Sequence, residues 1–153
     1  MVNIEERVAK ARDFFMEGYN CSQSVFMAYA DMFGMEQEMA AKISASFGGG
    51  VGRLREVCGT VSGMALCASF ISPCTVPDNK VKMENYKVVQ ELAAAFREQN
   101  GSIVCRELLG LAAAQKLSPQ PEERTAAYYH QRHCAQFVQD AARIVGEYLN
   151  KAE

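Results

Sequence analysis

Four cysteines, Cys21, Cys58, Cys105 and Cys134, each fall where the residue pattern predicts the start of a helix. A helix N-terminus presents unpaired N–H groups and a partial positive charge. Both favour the thiolate, the form that attacks disulfides or ligates metal. Neighbouring charges point the same way: Cys58 follows Arg53 and Arg55, Cys105 precedes Arg106, and Cys134 follows Arg132 and His133. A cation beside a thiol lowers its pKa. The other two cysteines differ. Cys67 lies between Leu66 and Ala68 and reads as a small core residue. Cys74 follows Pro73 in a loop, and its role is open. No C-x-x-C occurs, and six residues separate Cys67 from Cys74, so neither a thioredoxin-type pair nor a zinc knuckle is present.

Cysteines spread over four predicted helices meet only through tertiary packing, as ligands do in helix-bundle metal sites. Three uses stay open. Neighbouring pairs can cycle between dithiol and disulfide, with Cys58 or Cys21 attacking and a second cysteine resolving. Cys58 is the preferred nucleophile, because of its arginine neighbours and the open glycine backbone before it. Alternatively the four thiolates hold zinc or an iron–sulfur cluster, or they serve a helical accessory protein that turns nothing over. The residues name no metal, cofactor or substrate. His133 is a candidate base or hydrogen-bond partner for a nearby thiolate, and His130 with His133 and Cys134 is a weaker metal candidate.

The run Gly48-Gly49-Gly50-Val51-Gly52-Arg53 invites comparison with phosphate-binding loops. It lacks G-x-x-x-x-G-K-S/T, and no strand precedes it as a dinucleotide fold requires. What remains is a flexible loop leading to Cys58. The backbone of Gly49, Gly50 and Gly52, with Arg53 or Arg55, is a candidate anion or substrate site beside the thiol. The competing reading is a tight connection between helices with solvated arginines.

The elements that must position these residues all read as helical, with no convincing strand. A first helix over Ile4 to Glu17 has an apolar face of Val8, Ala11 and Phe15 and stops at Gly18. Asn20 and Gln23 form a capping-box pattern opening a helix to about Phe33. A third runs from about Glu36 to Phe47. The helix from Cys58 to before Pro73 is small-residued and apolar, which places it at the centre of a bundle. A long amphipathic helix spans about Lys80 to Gln99 behind Asp78, and Ser102 caps a short helix carrying Cys105. A last helical region, about Glu122 to Asn150 after a break at Leu117 to Pro121, divides near His130 to His133. Its side carrying Phe137, Val138, Ala141, Ile144, Val145 and Tyr148 suits either a homodimer face or the last wall of the core. Met27, Met32, Met35, Met39 and Met64 read as core filling. The expected fold is all-α, a bundle of about five to seven helices in one domain.

The chain has 153 residues, a formal charge of −2 and, among its residues, two histidines and six cysteines. That length supports a core without disulfide staples. A pI near 5.8 argues against a nucleic-acid partner. No apolar run reaches the roughly 18 residues of a membrane span. The opening Met-Val-Asn-Ile-Glu-Glu-Arg lacks the basic and apolar regions of a signal peptide. Six cysteines without an export signal fit the cytoplasm, where thiols are more often catalytic, sensing or metal-bound than structural. The expected partner is a redox protein or a small thiol or disulfide.

At these residues the chain resembles a bacterial and archaeal family of similar length, the redox-active C_GCAxxG_C_C proteins. The resemblance rests on Gly18-Tyr19-Asn20-Cys21, the loop Gly48 to Arg53, Cys58-Gly59-Thr60-Val61-Ser62-Gly63, Cys105-Arg106-Glu107-Leu108-Leu109-Gly110 and the late Cys134. It implies that Cys21, Cys58, Cys105 and Cys134 are the signature cysteines. Thr60 stands where the family's C-G-A-x-x-G element has alanine, and both glycines are kept. The resemblance implies redox activity and no particular reaction.

Overall fold

The computed structural model describes residues 1–152. Among them are eight α-helices and no strand: α1 (Ile4–Glu17), α2 (Cys21–Met27), α3 (Gln37–Ser44), α4 (Gly59–Ile71), α5 (Asn79–Asn100), α6 (Cys105–Leu108), α7 (Ala126–Gln131) and α8 (Cys134–Ala152). None is long and apolar enough to cross a membrane. The expected all-α bundle is the observed one.

Local chemistry explains the helix boundaries. Asn3 accepts the Glu6 N–H at the start of α1, and Gly18, at φ +111°, ends it by donating to the carbonyls of Phe14 and Phe15. The predicted capping box is present, with the Asn20 side chain accepting from Gln23 N–H and the Gln23 side chain accepting from Asn20 N–H, both at 3.0 Å. Asp78 accepts the Val81 N–H to open α5.

Two expected helices are shorter in the fold. α2 stops at Met27, and the chain continues as a 3-10 turn over Ala30–Phe33. The break sits where Tyr29, fully buried, donates its hydroxyl to the Ala142 carbonyl in α8 at 2.6 Å. Arg7 takes the freed Ala28 carbonyl at 2.9 Å. The region expected to be helical from Glu122 starts only at Ala126, after an irregular exposed stretch. Thr125 then caps α7, and the predicted division before Cys134 is present.

The core is shared by α1, α2, α4, α5 and α8. As its small residues predict, α4 is central and packs on α2, α5 and α8. A Cβ on Gly63 would come within 2.9 Å of Val25 Cβ and 3.0 Å of the Ser22 carbonyl oxygen, so glycine is what lets α2 and α4 approach. On α8, Val138, Ala141, Ile144 and Val145 are buried in this core, so that face is its wall. The methionine reading holds for Met27 and Met64, both buried, and fails for Met32 and Met39, which are exposed.

The segment between the 3-10 turn Ala45–Phe47 and α4 is an ordered, hydrogen-bonded loop. Gly49, Gly50, Val51, Gly52 and Arg53 all adopt left-handed φ values between +55° and +71°, and Arg55 does so again at +62°. The carbonyls of Phe47, Gly48, Gly49 and Gly50 accept from the N–H groups of Val51, Arg53, Arg55 and Glu56. Val51, Arg53 and Arg55 have a Cβ that disfavours this conformation by about 1–2 kcal/mol each. The flexible loop expected from the glycines is therefore a strained turn, held by its own backbone bonds. Just beyond it, Val57 pairs with Val104 in an isolated antiparallel bridge, with Cys58 N–H donating to Ile103 O and Cys105 N–H to Glu56 O.

Candidate functional site

Cys21, Cys105 and Cys134 are the first residues of α2, α6 and α8, and Cys58 is the N-cap of α4. These four helix starts converge on one open cavity of about 300 Å³, and all four cysteines line it. Each arrives by a local device. The capping box of Asn20 orients Cys21. The Val57–Val104 bridge sets Cys58 and Cys105 on the same side, because neighbours of a bridged pair point away from it together. The turn at Arg132–His133 delivers Cys134. Cys67 is buried in the core and Cys74 is exposed, and neither lines the cavity.

The glycines around the cavity are there for contact. A Cβ on Gly59 would overlap the Cys21 sulfur, so that sulfur rests on the backbone immediately after Cys58. A Cβ on Gly50 would lie 2.7 Å from Cys105 Cβ, and one on Gly48 would strike the Asn20 side chain. The loop thus backs the Cys21 and Cys105 walls at once. Several of its amides are already used: those of Val51, Arg53, Arg55 and Glu56 donate to loop carbonyls. Gly49 and Gly52 line the cavity, whereas Gly50 lies behind Cys105.

Cys21, Cys58 and Cys134 do not behave as their helix-start positions predict. Burial pushes Cys21 up to about 12, helped by the charge of Cys58 and opposed by the Gly49 N–H. Burial also raises Cys58, against a hydrogen bond with Thr60, whose Oγ1 lies 3.1 Å from the sulfur. Cys134 is raised by burial as well, with the Arg132 cation and the Tyr128 hydroxyl acting the other way. Desolvation penalises the ionised form more than a helix terminus favours it.

The arginines expected to serve Cys58 point elsewhere. Arg55 directs Nη1 to the Cys105 sulfur at 3.8 Å. Arg53 donates to the carbonyls of Ser118, at 2.8 Å, and Gln120. Their left-handed backbone turns both side chains toward α6 and the stretch before α7. They are only 21% and 12% exposed, so the solvated-arginine reading is corrected. His133 is exposed and packs beside the Phe137 ring, outside the cavity lining. The structure does not bring it to a thiol.

Sequence reasoning missed Thr60, Glu122, Arg124 and Tyr128, which line the cavity together with Arg132, the expected cationic neighbour of Cys134. Arg124 closes the end of α1 by donating to the carbonyls of Phe15 at 2.9 Å and Tyr19 at 3.1 Å, with its guanidinium 4.0 Å over the Phe15 ring. Glu122 pairs with Arg53, Arg55 and Arg132. In the sequence only Arg132, two residues before Cys134, hinted at this wall. Among the described residues no three His, Cys, Asp or Glu side chains are grouped to hold a metal ion.

No curated protein and no solved structure matches this chain. The profile of the family described as "Putative redox-active protein (C_GCAxxG_C_C)" matches residues 19–148, a span that opens just before Cys21, contains all four cavity cysteines and closes within α8. The chain belongs to that family.

Proposed function

We propose that the protein is a dithiol–disulfide redox protein whose cavity admits a small disulfide or thiol to Cys21, Cys58, Cys105 and Cys134. The convergence of the four cysteines on one cavity carries this reading. Cys105 is the entry thiol, since a thiolate formed there meets the Arg55 guanidinium in a charge-assisted hydrogen bond. It attacks one sulfur of a substrate disulfide, bonds to it and expels the other half as a thiolate. A second cavity thiolate then attacks the Cys105 sulfur, forming an internal disulfide and releasing the bound half. The protein loses two electrons and two protons, and the substrate disulfide becomes two thiols. The reverse sequence reduces the protein again.

Cys21 and Cys58 form a second pair. The Cys21 sulfur rests on Gly59, next to Cys58, and each ionised thiol would repel the other. A disulfide removes both titrating groups from this desolvated place.

The test is thiol counting with peptide mapping on protein purified without oxygen, before and after mild oxidation. Reversible loss of two thiols, mapped to the cavity cysteines with Cys67 retained, supports the reading. Stoichiometric zinc or iron, lost on replacing Cys105 or Cys134, would favour a metal module. Six thiols that stay reduced would remove both.

A further inference from the structure

Three guanidiniums meet one carboxylate at the mouth of the cavity. Glu122 Oε1 lies 3.6 Å from Arg53 Nη2 and 3.9 Å from Arg55 Nη2, and it also accepts from Arg132 Nη2. The three arginine side chains are 21%, 12% and 18% exposed, whereas Glu122 is 43% exposed. One negative charge among three positive ones leaves an excess of two, in a place partly withdrawn from water, where charge interactions are strengthened. The cations are anchored: Arg53 and Arg55 on the strained turn and Arg132 at the end of α7. The acid stands on the irregular, exposed stretch between α6 and α7, which hydrogen bonds of Arg53 and Arg124 tie down on either side of it.

We propose that Arg53, Arg55 and Arg132 are the binding site for a carboxylate of the substrate, that Glu122 holds this site in the free protein, and that the substrate is a carboxylate-bearing small disulfide or thiol. The proposal rests on the dithiol–disulfide reading and names its substrate class. Arg55 joins the two functions, with Nη2 toward the carboxylate and Nη1 toward the Cys105 sulfur at 3.8 Å. An anion in the place of Glu122 is therefore one guanidinium away from the entry thiol. A small substrate carrying a carboxylate near its sulfur would face both ends of the Arg55 guanidinium. Entry requires exchange of one carboxylate for another, so Glu122 also keeps the arginines paired when no substrate is bound. The apolar part of such a substrate would lie against Phe137 and Leu108, which line the same cavity.

The experiment compares three disulfides of one scaffold as oxidants of the reduced protein: dianionic 3,3′-dithiodipropionate, neutral bis(2-hydroxyethyl) disulfide and dicationic cystamine. In each case the protein's dithiol gives two electrons to the probe, which leaves as two thiols. A thiolate alone disfavours the dianion, so an order of dianion over neutral over dication requires local cations. The expected span from dianion to dication is about tenfold or more at low ionic strength, shrinking with salt. Glu122→Gln should raise the dianion rate several-fold, and Arg132→Gln should lower it, with Arg132→Lys recovering part.

Binding of the unreactive thioether 3,3′-thiodipropionate, followed by calorimetry, separates the two claims. Saturable binding weakened by Arg132→Gln, without any disulfide exchange, would keep the carboxylate site and remove the redox reading. Exchange at equal rates for all three probes, with no thiodipropionate binding even to Glu122→Gln, would remove the carboxylate site and keep the redox reading.

Discussion

Cys58 and Cys67 belong to the same helical segment, the N-cap and the middle of α4, and both are nearly free of solvent contact, at 6% and 0%. Burial raises both thiols above their ordinary value. Their surroundings nevertheless differ in kind. Cys58 has Thr60 Oγ1 at 3.1 Å, the Cys21 sulfur beside it on Gly59 and a cavity in front of it. Cys67 is packed among the buried residues of the core, away from the cavity lining. Burial alone thus says nothing about reactivity. What separates the two ends is a route to the sulfur and polar groups within reach of it, and small residues supply both: Gly59 makes room for a second sulfur, and Thr60 supplies a hydroxyl.

The sharpest way to break this comparison is to fill the room at Gly59. Gly59→Val should cost about 3 kcal/mol or more in urea unfolding, because the new side chain meets the Cys21 sulfur and lies near the Phe47 carbonyl. A cost under 1 kcal/mol would mean that α2 and α4 do not touch there.

Exchanging the two sulfurs for hydroxyls comes next. Cys67→Ser should lose about 2 kcal/mol, through burial of a hydroxyl in an apolar site, while keeping reversible oxidation of the cavity thiols. Cys58→Ser should have the opposite profile, with a smaller stability loss and one internal disulfide fewer by peptide mapping. If Cys67→Ser also abolished the oxidation, the division between the two ends of α4 would fall.

Alkaline stability sharpens the contrast further. Cys21, Cys58, Cys67 and Cys134 all keep their protons in the fold above the ordinary value of 9.0. Above pH 9 the unfolded chain ionises first, so these groups favour unfolding as pH rises, for Cys21 up to about pH 12. Each such thiol should remove about 1.4 kcal/mol per pH unit within its window. Below pH 9 the contribution is fully present and flat. A disulfide between Cys21 and Cys58 deletes two of the four groups, so protein oxidised at that pair should lose stability less steeply than the reduced form. Urea midpoints of both forms between pH 8 and pH 10 give the comparison, and parallel curves would contradict a disulfide between raised thiols.

The smallest effect is expected at Thr60. Thr60→Ala removes a hydrogen bond that opposes the rise of Cys58. Alkylation of Cys58 by iodoacetamide at fixed pH should slow by about two- to fivefold, with Cys67 unaffected. An unchanged rate would show that the hydroxyl does not act on the sulfur.

Much of the frame was legible along the chain, and for a common reason. The capping box at Asn20 and Gln23, the stop at Gly18 and the cap at Asp78 are interactions between residues at most a few positions apart. The pattern of a few neighbouring residues therefore reports them. The placement of the four cysteines at helix starts follows from the same local logic, as does the central position of the small-residued α4. The shortening of α2 was not legible, because its cause is a bond from Tyr29 to Ala142, more than a hundred residues away. The loop was misread as flexible because glycine content reports freedom in the unfolded chain. The fold spends that freedom on a left-handed turn stitched by its own amides.

The amino-acid sequence by itself determined an all-helical chain with four thiols at four helix starts and two thiols elsewhere. Caps, periodicity and small residues act over one or two turns, and their outcome is written where they stand. Only the tertiary structure decided that these four starts share one cavity, that Arg55 serves Cys105 instead of Cys58, that His133 stays outside, and that Glu122 lies among three arginines. Those arrangements depend on long side chains crossing between elements and on how much water the packing removes. The same desolvation overrides the local preference for thiolate at Cys21, Cys58 and Cys134.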